Sequence, residues 1–239
     1  MKKILAIGNS FSQDATALLE FFAPELYVRN LYIPGCPLSY HSELSKTGER
    51  IYEYQVCGES DSSDRISLAE GLDSEDWDYV TLQQVSGLSG IKESFYPHLV
   101  TVSEYVRRYT DAKIVLHETW AYEAGAGHPD FPRYDGDRKK MQACIRETYD
   151  EISAREGLSV IRTGDFIAKL RENPFFDVAR GGISLSRDGY HLSLNFGRSA
   201  AAGVWAKFFT GELPQYFTRK DLAAGYRIIA EALRETENT

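Results

Sequence analysis

The chain has 239 residues, a length that fits one α/β domain. Hydrophobic residues make up 43% of it and charged residues 26%, a balance that is typical of folded globular proteins and excludes a disordered chain. The formal net charge of −8 argues against nucleic acid and anionic membrane surfaces as partners, because both attract basic proteins.

The spacing of the cysteines and the sequence of the amino-terminal residues indicate the cellular compartment of the protein. The three cysteines are widely spaced and form no CxxC pair, so the sequence predicts neither a disulfide framework nor a zinc ribbon. The apolar run that follows Lys3 is confined to residues 4–7, which is too short for a signal peptide. No stretch approaches the ~20 apolar residues of a membrane span. We therefore expect a cytoplasmic protein with no membrane partner.

Apolar runs typical of buried strands alternate with helical patterns along the chain. The predicted strands are residues 4–7, 27–33, 78–84, 113–116 and 158–162. The predicted helices begin near residue 12 or 14 and continue with 38–46, 67–75, 95–106, 135–156, 167–171, 194–209 and 222–233. This alternation without a linker predicts a single domain over residues 1–239, an α/β fold of the three-layer α/β/α sandwich type. Its sheet is expected to be mostly parallel, five-stranded and flavodoxin-like.

A small β-hairpin insertion is predicted around residues 50–68. Aromatic or apolar side chains at Ile51, Tyr52, Tyr54 and Val56 are interspersed with polar ones, which is typical of a half-buried strand. Residues 65–68 supply the second strand of this hairpin. We expect it to lie at the periphery of the domain.

The first predicted strand ends in Gly8-Asn9-Ser10, at the edge where parallel sheets bind their ligands. Ser10 precedes a helix, and backbone N–H groups at the start of a helix can hold a developing anion. This position suits a nucleophile. The same segment is also typical of a helix cap, with Ser10 or Ser12 as the N-cap residue. If Ser10 is the nucleophile, Ser12 or Asp14 can cap the helix instead. Asp14 would also place a negative charge in the first turn, which complements the helix dipole.

A serine nucleophile needs a general base, and the segment Asp188-Gly189-Tyr190-His191 provides a candidate. Asp188 lies three residues before His191, across a glycine turn. There its carboxylate can orient the imidazole and stabilise the imidazolium. By itself, D-x-x-H is also typical of a surface turn.

The two segments together resemble the first and last motifs of the SGNH/GDSL hydrolase superfamily. The first motif of that superfamily is Gly-Asp-Ser or Gly-Asn-Ser after strand one, and the last is D-x-x-H before a terminal helix. Motif order, motif position and strand pattern agree over residues 3–210. The resemblance implies that Ser10 is the nucleophile of a catalytic triad with Asp188 and His191, and that no metal or organic cofactor is required.

The middle motifs of the superfamily fit less closely. The resemblance implies an oxyanion hole built from the backbone N–H groups of Ser10 and Gly35, with an Asn side chain from a Gly-x-Asn-Asp motif after strand three. That motif is absent, and Gln83 and Gln84 stand in its place, as in a bacterial branch that this sequence resembles. A glutamine carboxamide offers the same N–H donor, and spacing slightly favours Gln84. Alternatively, both glutamines are polar strand-end residues and Gly35 is a loop glycine without a role.

Two further residues are candidates for substrate contacts. His41 follows the Gly35 loop, although a histidine on a surface helix fits the same position. Trp120 ends the fourth strand, where an aromatic ring suits a sugar face, an acyl group or a buried anchor. No metal site is expected, because the histidines and acidic residues over 117–130 lack the HExxH and HxH spacings.

These residues predict a serine esterase that hydrolyses a small ester, with an O-acetyl group on a carbohydrate as the favoured substrate. Two alternatives stay open: a catalytically silent glycan-binding module on the same fold, and a lipase-like or thioesterase-like hydrolase. The joint presence of Ser10, Asp188 and His191 favours the enzyme. The sequence leaves the natural substrate and the oligomeric state open.

Overall fold

The strands of the computed structural model, which describes residues 1–236, form one central sheet. They are β1 (Lys2–Gly8), β2 (Leu26–Tyr32), β3 (Glu53–Val56), β4 (Glu59–Ser60), β5 (Tyr79–Leu82), β6 (Lys113–His117) and β7 (Ser159–Ile161). The α-helices are α1 (Ser10–Thr16), α2 (Leu19–Phe22), α3 (Leu38–Thr47), α4 (Leu68–Asp73), α5 (His98–Val106), α6 (Arg138–Glu156), α7 (Thr163–Leu170), α8 (Phe196–Thr210) and α9 (Ala224–Glu235). Strands and helices thus alternate along most of the chain, as the sequence pattern predicts.

The strand order in the sheet is β4-β3-β2-β1-β5-β6-β7. The run from β2 to β7 is parallel and has the flavodoxin-like order. The predicted number of five strands is nevertheless wrong. Within residues 1–236 the sheet has seven strands and is mixed, because β3 pairs antiparallel with β2 and β4 pairs antiparallel with β3.

The two additional strands lie within the segment predicted as a hairpin, residues 50–68. The second strand is Glu59–Ser60 and not residues 65–68, of which Ile66 forms an isolated bridge to Tyr52. Where β3 meets β2, Asn30 donates from Nδ2 to Oε1 of Gln55 at 3.0 Å, and both amide side chains are buried. Buried polar groups need hydrogen-bond partners, and the remaining groups of both amides have them: Asn30 Oδ1 accepts from Ser12 Oγ at 2.8 Å, and Gln55 Nε2 donates to Glu53 Oε2 at 3.1 Å. The hairpin therefore extends the main sheet at one of its edges, with the exposed strand β4 outermost.

Strand β1 lies at the centre of the sheet and is covered on both faces. Its residues Ile4, Leu5, Ala6 and Ile7 are at most 1% exposed. A continuous apolar run of this kind is typical of a parallel strand between two layers of helices. The helices accordingly form two groups: α8 contacts α1, α2, α7 and α9, whereas α3 contacts α4 and α5. The carboxyl ends of β1, β2 and β5 meet at one edge of the sheet.

The start of α1 differs from the sequence-based expectation. The helix begins at Ser10, and its N-cap is Asn9, whose Oδ1 accepts from the N–H of Phe11 at 3.0 Å. Ser12 and Asp14, the expected caps, are buried inside the helix. The alternative in which Ser10 caps the helix is also wrong. The hydroxyl of Ser10 is consequently not used as a cap.

Helix α6 is the longest helix, with 19 residues. Its buried residues Met141, Ile145 and Ile152 recur at helical spacing, and the surface between them is largely charged. Neither α6 nor any other helix of residues 1–236 is long and apolar enough to cross a lipid bilayer.

Candidate active site

Three side chains meet at the carboxyl edge of the sheet and form a hydrogen-bonded chain. Ser10 is the first residue of α1, directly after β1, and Asp188 and His191 lie in the loop before α8. Ser10 Oγ and His191 Nε2 are 2.9 Å apart, and His191 Nδ1 and Asp188 Oδ2 are 2.6 Å apart. The fold thus brings together the three residues that the two sequence motifs single out.

These hydrogen bonds fix the tautomer of His191. A carboxylate can only accept a hydrogen bond. The ring proton is therefore on Nδ1, which donates a hydrogen bond to the Asp188 carboxylate. Nε2 is then the acceptor for the hydroxyl of Ser10. In this arrangement a histidine can remove the proton from a serine nucleophile.

The surroundings of Asp188 keep its carboxylate charged. Partial burial by itself raises the pKa of this carboxyl, but hydrogen bonds from the His191 ring and from the backbone N–H groups of His191 and Tyr190 outweigh the effect of burial. The resulting pKa lies below the usual value for Asp, so the side chain is ionised at neutral pH. An ionised carboxylate stabilises an imidazolium as it forms.

A tight turn holds Asp188 and His191 together. Asp188 Oδ1 accepts from the backbone N–H groups of Tyr190 and His191 at 3.2 and 2.8 Å. Gly189 has a φ of 93°, in the left-handed region that favours glycine. One carboxylate oxygen therefore closes the turn while the other orients the imidazole, which explains the spacing of the D-x-x-H motif.

Asp14, expected as a helix cap or as a charge that complements the dipole of α1, holds this turn against the helix. Its carboxylate is fully buried and accepts from Arg187 Nη1 at 2.9 Å and from Arg198 Nε at 2.8 Å. It also accepts from the backbone N–H of Leu192 at 2.8 Å. Arg187 and Leu192 flank the turn formed by residues 188–191. Asp14 therefore fixes the position of the turn relative to the start of α1.

We expect the variant Asp14→Asn to lower the free energy of unfolding by about 2 kcal/mol, because it leaves two partly buried guanidinium groups without their counter-charge. For a chain of this length the melting temperature should fall by about 4–8 °C, as measured by scanning calorimetry. Asp221→Asn is the matched control, because the Asp221–Arg219 pair is exposed and its loss should leave the melting temperature unchanged. Equal melting temperatures for Asp14→Asn and wild type would contradict this role of Asp14.

Trp120 is a buried anchor, and the expectation that it contacts substrate is wrong. Its ring stacks on Phe11 with the centroids 4.2 Å apart, and its Nε1–H donates to the carbonyl oxygen of Tyr190 at 2.7 Å. The side chain is 0% exposed. Trp120 therefore joins α1 to the turn that carries His191.

His41 is also wrong as a substrate-binding candidate, and it is not a surface histidine either, because it lies on the buried face of α3. The residue is 0% exposed, its Nδ1 lies 2.8 Å from the hydroxyl of Tyr52, and the two rings are stacked. Burial lowers the pKa of the imidazole to about 3, so His41 is neutral. It is a core residue of α3 that packs against Tyr52, in the segment that leads into β3.

Gln84, the favoured third donor of an oxyanion hole, uses both ends of its amide elsewhere. Its Oε1 accepts from the backbone N–H of Leu38 at 2.9 Å, and its Nε2 donates to the carbonyl oxygen of Ser94 at 2.9 Å. The side chain is 1% exposed. These contacts conflict with the expectation that Gln84 donates to an oxyanion.

Gln83 supports the turn that presents Ser10. Its Nε2 donates to Asn9 Oδ1 at 2.7 Å, and its Oε1 lies 2.8 Å from His117 Nδ1. Asn9 in turn donates from Nδ2 to the carbonyl oxygen of Cys36 at 3.0 Å. Gln83 is 1% exposed and lies outside the wall of the cleft beside Ser10. The structure thus directs neither glutamine carboxamide into the cleft.

The cleft beside Ser10 has a volume of about 240 Å³. Ser10 and Gly35, the two expected backbone donors, both line it. Tyr190, a variable position of the D-x-x-H motif, also lines it, and further lining residues outside the motifs include Tyr32, Ser86 and His128. A position at the end of a strand is the sequence signal that points to two of these residues. Tyr32 ends β2, and Ser86 follows β5 closely.

The acidic and histidine side chains over 117–130 point in different directions. Glu118 is buried and pairs with Arg162, whose Nη1 lies 2.9 Å from Glu118 Oε2. His117 contacts Gln83, whereas His128 lies at the cleft. Among residues 1–236, no group of three or more His, Cys, Asp or Glu side chains is arranged to hold a metal ion.

The chain belongs to the family described as Domain of unknown function (DUF4886), which matches residues 3–219. The solved structure of a DUF4886 family protein from Bacteroides uniformis is 31% identical to it in sequence. The match covers 97% of this chain and 93% of that chain, with a TM-score of 0.85.

Two more distant solved structures share the fold. A candidate SGNH hydrolase from Slackia heliotrinireducens is 21% identical, with 86% of this chain and 97% of that chain covered and a TM-score of 0.59. A candidate GDSL-like lipase from Parabacteroides merdae is 16% identical, with 86% and 94% covered and a TM-score of 0.50. No curated protein matches the chain. At these identities the likeness concerns the α/β fold with its central sheet and helices.

Proposed function

We propose that the protein is a serine esterase of the SGNH type, which cleaves a small ester through an acyl-enzyme on Ser10. The observation that carries this proposal is the hydrogen-bonded chain from Ser10 through His191 to Asp188, which opens into a cleft at the carboxyl edge of the sheet. A serine, a base and a group that orients the base are the parts that nucleophilic acyl transfer requires.

In the first half of the reaction, His191 Nε2 takes the hydroxyl proton of Ser10 as Oγ bonds to the ester carbonyl carbon. The carbonyl oxygen becomes an oxyanion. The backbone N–H groups of Ser10 and Gly35 donate hydrogen bonds to this oxyanion. The N–H of Ser10 is available for this bond because the first N–H group of a helix has no acceptor within the helix. When the tetrahedral intermediate collapses, the bond to the leaving oxygen breaks and the imidazolium gives its proton to that oxygen, which releases the alcohol.

In the second half, His191 takes a proton from water, whose oxygen attacks the acyl carbon. The bond between this carbon and Ser10 Oγ then breaks, and the proton returns from His191 to Ser10. The products are a carboxylic acid and the original enzyme. Asp188 stays ionised throughout and stabilises the imidazolium in both halves.

Among small esters, the favoured substrate class is O-acetyl groups on carbohydrate. The cleft volume of about 240 Å³ lies at or below the low end of ligand pockets, so it favours a short acyl group over the long chain of a lipase substrate. The tyrosine rings of Tyr32 and Tyr190 on its wall offer apolar faces with polar ends, a combination that suits sugar surfaces.

We expect kcat/KM for p-nitrophenyl esters to fall by at least about 10-fold from the acetate to the octanoate, because added methylene groups exceed the cleft. Acetate release from acetylated oligosaccharides should be catalysed by the wild type and be absent with Ser10→Ala. A preference for the octanoate would instead favour the lipase-like alternative. Binding of the oligosaccharides without hydrolysis of any ester would favour the silent glycan-binding module.

A further inference from the structure

We infer that the hydroxyl of Ser86 donates a hydrogen bond to the oxyanion, as the side-chain donor that neither Gln83 nor Gln84 supplies. This inference rests on the proposed esterase function. It assigns to Ser86 a direct contact with the reacting oxygen, which no sequence motif indicates.

Ser86 is placed where such a donor is needed. It is the first residue of the short 3-10 helix Ser86–Leu88, which follows the carboxyl end of β5. It lines the same cleft as Ser10 and Gly35, on the wall contributed by the strand next to β1. The residue is 3% exposed, so a hydrogen bond from its hydroxyl would form in a site that is largely shielded from water.

Ser86, Tyr122 and His128 form a chain of hydrogen bonds, and the direction of these bonds leaves the hydroxyl proton of Ser86 free. His128 Nδ1 accepts from the backbone N–H of Asp130 at 3.2 Å, so in a neutral ring the proton is on Nε2. Nε2 lies 3.4 Å from the hydroxyl oxygen of Tyr122, and it can only donate in that contact. Tyr122 therefore cannot direct its own proton at His128.

The proton of Tyr122 goes to Ser86 instead. The two hydroxyl oxygens are 2.8 Å apart, and Ser86 Oγ is the remaining acceptor for Tyr122. Among residues 1–236, Tyr122 is the one hydrogen-bond partner of Ser86 Oγ. The hydroxyl of Ser86 thus accepts from Tyr122 and keeps its own proton for a group in the cleft.

The neutral state of His128 maintains this direction. Burial lowers the pKa of the imidazole, and repulsion from the protonated form of His191 lowers it further, against the opposing effects of Asp130 and Asp188. The net pKa lies below the usual value for histidine, so the ring is neutral at pH 7. The contact with the N–H of Asp130 then holds the tautomer with the proton on Nε2.

The test compares Ser86→Ala with wild type and with Ser10→Ala in hydrolysis of p-nitrophenyl acetate. Loss of one oxyanion donor should reduce kcat by about 10²-fold while KM changes little, because the hydrogen bond forms in the transition state. The affinity for a small alkyl boronic acid, which forms a tetrahedral adduct with a serine nucleophile, should fall in parallel. Tyr122→Phe, which removes the group that orients Ser86, should cause a smaller loss of kcat.

Ser103→Ala is the matched control, because Ser103 is a buried serine on α5 whose Oγ has no partner among residues 1–236. It should leave kcat unchanged. Ser86→Thr keeps the hydroxyl and should recover most of the activity that Ser86→Ala loses. The inference is overturned if Ser86→Ala retains wild-type kcat while Ser10→Ala is inactive, or if Ser86→Thr is as slow as Ser86→Ala with a wild-type melting temperature. Equal activity of Ser10→Ala and wild type would instead overturn the esterase proposal itself.

Discussion

Ser10→Ala should reduce kcat for p-nitrophenyl acetate by about 10⁴-fold or more, down to the rate that the cleft alone supports. The physical reason is that no other hydroxyl is held 2.9 Å from His191 Nε2 in the described part of the chain. The alanine removes one oxygen atom at the first position of α1, where Asn9 and not Ser10 caps the helix. The variant should therefore fold and melt like the wild type.

The matched control for this substitution is Ser63→Ala, which removes an exposed serine hydroxyl from the loop after β4. It should leave both kcat and the melting temperature unchanged. Hydrolysis at the wild-type rate by Ser10→Ala would refute the assignment of Ser10 as the nucleophile, whatever the other variants show.

Asp188→Asn should reduce kcat by about 10⁴-fold, because it reverses the tautomer of His191. The asparagine can still accept from the backbone N–H groups of Tyr190 and His191 through Oδ1, so the turn is kept. Its Nδ2 then faces His191 Nδ1 and donates to it, which places the ring proton on Nε2. A protonated Nε2 cannot accept the proton of Ser10.

Asp177→Asn is the matched control for Asp188→Asn. Asp177 closes a similar turn by accepting from the backbone N–H of Ala179 at 3.1 Å, and it lies outside the wall of the cleft. It should leave kcat unchanged. If Asp188→Asn keeps more than a tenth of the wild-type kcat, the histidine is not oriented by Asp188 during catalysis.

The parallel part of the fold could be predicted because its signals are local. A run such as 4–7, apolar at every position, is typical of a strand that is covered on both faces. The joining of β3 to β2 could not be predicted, because the residues that meet there, such as the buried pair Asn30 and Gln55, are far apart along the chain. In the sequence these two amides look like ordinary polar residues of strands, and nothing in the local pattern says that they meet.

The residues of the candidate triad could also be found from the sequence. Asp188 and His191 lie in one turn, and Ser10 lies at the end of a recognisable strand, so short motifs describe both positions. The role of Asp14 depends on Arg187 and Arg198, which are 173 and 184 residues away along the chain. Such a contact has no local signal.

The wrong expectations have a common physical cause. His41, Trp120, Gln83 and Gln84 are polar or aromatic side chains near strand ends or loops, where both a cleft and the core are within reach. Which of the two they face depends on the packing of other elements, such as the stack of Trp120 on Phe11. The oxyanion contact that we infer for Ser86 has no motif of its own, because a lone serine after a strand is also typical of a turn.

The central claim is that Ser10 carries the acyl group during the reaction, and the most direct measurement is to trap that intermediate. The wild-type enzyme is mixed with p-nitrophenyl acetate, quenched with acid within the first turnover and digested, and the acetylated peptide is located by mass spectrometry. We predict that one acetyl group is found on Ser10 and that it is absent after the same treatment of Ser10→Ala. An acetyl group on another residue, or turnover without any acetylated Ser10 on a time scale that captures the first turnover, would contradict the account.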